Sequence, residues 1–253
     1  MANDLIQQNP WDELRAHTSA RIALGRVGCS LPTREVLKFG LAHAQARDAV
    51  HRPLDFGELK HQLHAAGFRT LKVRSNAEDR QTYLLRPDHG RHLHGDCQVQ
   101  LLHELPAPEI AIVLADGLSA VAVQRHALPL LQAFRERFDT DWANTPVVLA
   151  EQGRVAIGDG IGEALRARLL IVMIGERPGL TSPDSLGLYL TYAPRVGCLD
   201  SERNCISNVR PEGLPYEQAA HKLDYLARHA LRLQLSGVQL KDDSNLLPVL
   251  QAD

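Results

Sequence analysis

Aromatic surface is scarce in this sequence: phenylalanine, tyrosine and tryptophan make up 5% of its 253 residues. That leaves few platforms for stacking nucleic-acid bases, and a formal net charge of −2 supplies no field to draw the chain to nucleic acid or an anionic membrane. Cysteine is scarce too. Cys29, Cys97, Cys198 and Cys205 are scattered without a CxxC pair, which argues for free thiols in a reducing compartment. No apolar run approaches the roughly 20 residues that cross a bilayer; the longest, Leu169 to Ile174, is strand-sized. The N-terminus lacks the basic stretch and apolar core of a secretory signal, so a cytoplasmic location is expected. What is present, 44% hydrophobic and 23% charged residues, suits a globular fold with a sizeable core.

The first third reads as helical. Asn9 is placed to cap a helix with Pro10, Asp12 and Glu13 in its first turn, Trp11, Leu14, Thr18 and Ile22 on one face, and Gly25 at its end. A second helix is expected from Thr33, with Val36, Leu37, Leu41 and Ala44 facing inward, and a third from Phe56 to Ala66. Thr70–Arg74 and Thr82–Leu85 read as short extended pieces. From about Ala107 the period changes. Continuous apolar runs at 109–116, 146–151 and 168–175 alternate with helices at 120–138 and 160–167, the signature of a parallel sheet covered on both faces. An antiparallel-looking strand runs from Leu186 to Tyr192, with Leu188, Leu190 and Tyr192 sharing a face. A long final helix starts near Pro215 and carries Ala219, Leu223, Leu226 and Leu233 inward. The expectation is an α/β fold: a mainly helical N-terminal lobe, residues 1–105, leading into a Rossmann-like parallel-sheet domain, residues 106–253.

In such sheets ligands sit beyond the carboxyl ends of the strands, and the loops there are chemically dense. Asp116–Ser119 follows the first apolar run, Glu151–Asp159 the second and Gly175–Gly179 the third, with a polar segment Arg203–Asn208 downstream. Glycine lets backbone approach a ligand and the polar groups make directed hydrogen bonds. The plainer alternative is that Asp116, Glu176 and Asn208 cap helices and tie loops together. Neither GxGxxG nor GxxxxGK[ST] nor GxSxG is present, which counts against a stand-alone nucleotide- or NAD-dependent enzyme, the rival reading. His89, His92, His94 and Cys97 have the composition of a zinc site. Following Arg86-Pro87-Asp88, they read better as surface residues of a polar helix, on which His94 points away from the other two.

Five strings make the sequence recognisable: HTSARIALGR (17–26), LLRPDHGRHL (84–93), ADGLSA (115–120), GERPGL (175–180) and CISN (205–208). In that order and at those separations they resemble the small-subunit family of ethanolamine ammonia-lyase, from about Arg15 to Gly237. Two departures stand out: an N-terminal extension is almost absent, and His89–Cys97 is rich in histidine where arginine or neutral residues are expected.

The resemblance implies an adenosylcobalamin-dependent lyase complex that converts ethanolamine to acetaldehyde and ammonia. In it a large subunit, a TIM barrel, holds the substrate and the adenosyl side of the cofactor, and this chain supplies the other wall without a catalytic residue of its own. It assigns cofactor binding to Val155, through its backbone, and to Glu176 and Cys205, with Asp116, Ser119, Arg177 and Asn208 as a weaker tier. The DxHxxG motif of cobalamin enzymes that replace the cofactor's base with histidine is missing, so the cofactor is expected with its own base on cobalt. Enclosure in a bacterial microcompartment is left open.

Overall fold

In the computed structural model residues 5–104 and 106–244 are described. The apolar runs become the middle of one six-stranded sheet. β2 (Ile110–Ala115) and β4 (Leu169–Gly175) are buried at every residue, as continuous hydrophobic strands require when both faces are covered. They pair in parallel, Ile110 beside Leu169 and Ala115 beside Ile174. β3 (Val147–Glu151) runs parallel to β2 on its other side, and β1 (Thr70–Arg74) runs parallel to β3 at the edge. β5 (Leu186–Tyr192) and β6 (Arg203–Val209) complete the order β1-β3-β2-β4-β5-β6 as an antiparallel pair. Gly175 lies beside Leu186, and Leu186 beside Val209. The start of β5 and the end of β6 therefore share an edge with the carboxyl ends of the four parallel strands.

Helices divide between the two faces. α2 (Phe56–Ala65), α5 (Ala120–Arg137) and α7 (Tyr216–Leu233) bury Leu59, Leu63, Phe134 and Leu223 against the first face. α4 (Gly95–Leu102) and α6 (Ile157–Leu165) cover the second, where Ile157, Ile161 and Leu101 meet Val73, Val113 and Val172. α6 lies hard against β4, since a Cβ on Gly158 would stand 2.6 Å from Leu170 Cδ2 and from Val172 Cγ2. Two further helices, α1 (Thr33–His51) and α3 (Arg80–Leu85), precede β2 in the chain.

Several expectations need correction. The sheet is mixed, four parallel strands with an antiparallel pair, and β6 occupies a stretch read as a polar loop. β1 pairs with β3 in this same sheet, and Leu54, Leu59, Leu63 and Phe68 share a core with α5. The helix expected from Asn9 shrinks to a 3-10 turn, Asp12–His17, that buries nothing. On α1, Val36, Leu37 and Leu41 face solvent, and the buried residues are Glu35, Ala42 and Ala49. Ala44 is exposed as well. Thr82–Leu85 is helical because the Asp79 carboxylate accepts the Thr82 N–H at 2.7 Å and caps α3. α6 starts at Ile157, three residues early, and Leu233 near the end of α7 is half exposed. None of the described helices is long and apolar enough to cross a membrane.

Candidate functional site

The loop after β3 is fixed from behind. Asp116, at the end of β2 and 4% exposed, accepts the backbone N–H groups of Gly117 (3.0 Å), Gln152 (3.1 Å) and Gly153 (3.0 Å). Burial pushes its carboxyl up to about 6, against the pull of Arg80 and of those three donors. Behind the same loop, the Tyr83 hydroxyl donates to the Gly153 carbonyl (3.2 Å). The Tyr83 ring lies 4.6 Å from the Arg80 guanidinium and 4.2 Å from that of Arg154. The Arg154 N–H donates to the Gly90 carbonyl at 2.7 Å, and a Cβ on Gly90 would stand 2.8 Å from Arg154 Cγ. The HGR turn of the LRPDHGR string thus serves as a backstop for residues 152–155.

Val155 follows, half-buried against the second-face cluster. Its carbonyl accepts the Gly158 N–H at 3.1 Å, while its own N–H donates to no group among the described residues. Glu176 follows β4, and its side chain folds over Gly187: a Cβ there would lie 3.0 Å from Glu176 Oε1. Gly187 alternates with Leu186 and Leu188, which face the first core, so Glu176 lies over the second face. Its oxygens accept the Asn208 N–H at 3.2 and 3.3 Å. Among the described residues Glu176 makes no ion pair, Arg177 included, and most of its acceptor capacity is free.

Cys205 is exposed in mid-strand, paired in register with Tyr189, two residues beyond Gly187 on the second face. Tyr189 packs on the same apolar cluster as Val155. Burial, then Cys205 and Glu176, push the Tyr189 hydroxyl up to about 12, which places both groups in its surroundings. The Cys205 thiol is bonded to the Ser207 hydroxyl (3.2 Å). Glu176 and Cys205 therefore lie beside Tyr189 on the second face, and Val155, after β3, borders the same apolar cluster. α4 and α6 cover that side over the parallel strands, whereas β5 and β6 carry their helix, α7, on the other side. The result is an open shelf with an aromatic floor, a free N–H donor on one flank and a carboxylate on another.

A buried ion pair braces the shelf. Arg203, at the start of β6, grips Asp159 in α6 with two bonds of 2.6 and 2.7 Å, the side chains 2% and 4% exposed. The pair ties the helix that follows Val155 to the strand that carries Cys205.

The weaker candidates separate. Asp116 is a loop clamp. The Ser119 hydroxyl caps α5 and donates to the Pro183 carbonyl at 2.8 Å. Asn208, with φ at 59°, positions Glu176 and receives Arg210 Nε, and Arg177 is exposed. His89 and Arg91 bound a 3-10 turn and His94 caps α4, not a shared helical face. The described residues hold no cluster of three or more His, Cys, Asp or Glu suited to a metal. Surface crevices of 370 to 580 Å³ lie elsewhere, none bordered by Val155, Glu176 or Cys205. Tyr189, Tyr83 and the Asp159–Arg203 pair went unnoticed in the sequence. Only Tyr189 left a signal there, since Leu188 and Leu190 facing one way send it the other.

The family model described as the ethanolamine ammonia-lyase light chain matches residues 8–241. The chain is 57% identical over 244 residues to the ethanolamine ammonia-lyase small subunit of Azotobacter vinelandii, covering 94% of this chain and 90% of that one. It is 58% identical over 253 residues to the small subunit of Ralstonia nicotianae, covering 98% and 93%. Against that of Pseudomonas putida the identity is 56% over 243 residues, covering 94% and 89%.

Proposed function

The chain belongs to the ethanolamine ammonia-lyase light-chain family, and on that premise we propose that its open shelf is one wall of a cobalamin site closed by a large subunit. The observation that carries this reading is that Glu176, Tyr189 and Cys205 lie together on the second face of β5 and β6, beyond the parallel strands that α4 and α6 cover, with Val155 on the same apolar cluster. A closed pocket would suit a self-sufficient enzyme. A half-face suits a subunit of a lyase complex.

The groups present fit the cofactor's chemistry. Cobalamin's rim carries primary amides, which need both donors and acceptors, and its tail carries a ribose and a phosphate. The Val155 N–H is placed to donate to an amide carbonyl, and its side chain takes no part. Glu176 is placed to accept from an amide NH2 or a ribose hydroxyl, held in position by the Asn208 N–H. Cys205 and Tyr189 offer a polarizable, largely apolar floor. Adenosylcobalamin, when bound, supplies the radical chemistry through its cobalt–carbon bond, and this chain's part is to orient it and keep water from its rim. No DxHxxG histidine exists to displace the cofactor's own base, so we place the cofactor base-on. A TIM-barrel large subunit completes the site, and the complex turns ethanolamine into acetaldehyde and ammonia.

Reconstitution tests the proposal. The isolated chain should not deaminate ethanolamine, and mixing it with the large subunit and adenosylcobalamin should produce activity. Turnover by this chain alone, or full activity of the large subunit without it, defeats the reading.

A further inference from the structure

The N-terminal arm and α1 present an apolar surface that this chain leaves uncovered. Of the nineteen large hydrophobic side chains exposed among the described residues, eleven fall between Leu5 and Leu41. Trp11 and Leu37 are each 67% exposed and Leu41 60%. Leu37 and Leu41 stand one turn apart on the same helical face. Monomeric proteins rarely leave so dense an apolar patch to water. The arm is also anchored: Gln7 and Arg26 exchange backbone bonds of 2.8 and 3.0 Å, Arg15 reaches Glu35 at 3.5 Å, and Arg21 stands 5.5 Å from the Phe39 ring. Its apolar side chains are thus held out, not folded in.

Two observations identify what covers this surface. The first is continuity with the shelf. Residues 16–19 border a crevice together with Thr181, Asp184, Arg210 and Glu212. Arg210 Nε donates to Asn208 Oδ1 at 3.2 Å, and the Asn208 N–H donates to Glu176. The arm therefore reaches the rim of the shelf, and a body closing the shelf over Glu176 meets the arm at the same edge. The second is charge. α1 carries Arg34, Lys38 and Arg47 on its exposed surface against a single exposed carboxylate, Asp48, because Glu35 is buried among cations. A second copy docking through this patch would set like charges against each other, whereas an acidic rim would pair with them.

We propose that the arm and α1 seat the large subunit, which meets them with an apolar groove rimmed by carboxylates. The proposal rests on the reading of the shelf as half of a two-subunit site, and the experiment separates the two. Affinity for the large subunit is measured by titration for the wild-type chain, for Leu37→Glu/Leu41→Glu, for Trp11→Ala and for Val238→Glu. The last is a control, 68% exposed but beside the start of β6, at the opposite edge of the sheet. Circular dichroism verifies folding, and light scattering gives the mass of each chain alone. The expected result is a folded double variant that binds at least 100-fold more weakly, Trp11→Ala weakened in the same direction, and an unchanged control. A folded double variant that binds like wild type overturns the placement alone. So does a wild-type homodimer that the double variant splits while large-subunit binding persists, since a second copy then covers the patch. A wild-type chain that binds no large subunit overturns the two-subunit reading and this inference with it.

Discussion

Replacing Arg203 with methionine should be among the most damaging single changes in this chain. Methionine fills much the same length, so little volume is lost, but the Asp159 carboxylate is left 4% exposed and without its cation. The lost contacts are the bidentate bonds of 2.6 and 2.7 Å, together with those from Arg203 to the Thr191 hydroxyl (3.2 Å) and the Cys198 carbonyl (2.9 Å). Removing one partner of a buried pair costs about 3–5 kcal/mol, whereas replacing both with apolar residues is often neutral or stabilising. Arg203→Met should therefore lower stability by about 3–5 kcal/mol at pH 8, and Asp159→Leu/Arg203→Met should recover most of it. Acid should shrink the deficit of the single variant, because protonation relieves the stranded carboxylate, whose affinity for protons burial already raises. The exposed pair Arg168–Glu109 is the control, since breaking it should cost less than about 1 kcal/mol. Urea unfolding of wild type and these three variants at pH 6 and pH 8 reads these differences. A single variant within about 1 kcal/mol of wild type, or a double variant no better than the single, refutes the reasoning. The refolded double variant should still bind cobalamin less well in the complex, because the brace between the Val155 helix and the Cys205 strand is gone.

Asp116 gives a pH signature of its own. Its carboxyl stands at about 6 in the folded chain against 3.8 unfolded, so the folded state holds the proton more tightly. That contribution is full below about pH 4 and is lost as pH rises through 6, a loss of roughly 3 kcal/mol. Asp116→Asn should remove this part of the slope between pH 4 and 7, and equal slopes in variant and wild type would refute it. In cofactor titrations of the reconstituted complex, Val155→Ala should bind nearly as well as wild type while Val155→Pro, which deletes the free N–H, should bind much more weakly. Glu176→Ala should cost on the order of 1–3 kcal/mol of cobalamin binding with little loss of fold. Equal affinity for folded Pro and Ala variants removes Val155 from the site, and normal binding by Glu176→Ala removes Glu176.

The parallel core was legible because its strands are buried on both faces and leave unbroken apolar runs, and the ligand edge followed from where those runs end. β6 was not. It is an edge strand in which only Ile206 and Val209 face the first core and the rest is polar, so alternation is diluted below recognition. α3 was mistaken for an extended piece because six residues are too few to show a helical period, and its cap, Asp79, lay outside the stretch considered. The arm and α1 are the more instructive failure. Their apolar spacing was read as burial within this chain, whereas Trp11, Leu14, Val36, Leu37 and Leu41 face solvent. The site residues were placed by resemblance, and the sequence alone showed only that their loops were dense in polar groups and glycine. The clamp of Asp116 on two residues of another loop joins positions 36 and 37 apart, a distance at which sequence carries no local sign.

Helix α6 acts as a gauge block. Its distance from β4 is set by the absence of a single carbon at Gly158, where a methyl group would press on Leu170 and Val172 at 2.6 Å. The helix cannot tilt away without straining the Asp159–Arg203 grip from below, and it cannot settle closer because backbone already meets side chain. The height of the Val155 flank above the sheet is therefore set by one missing methyl, not by the flank's own sequence. A change in that height is available at residue 158, leaving Val155, Glu176 and Cys205 unaltered.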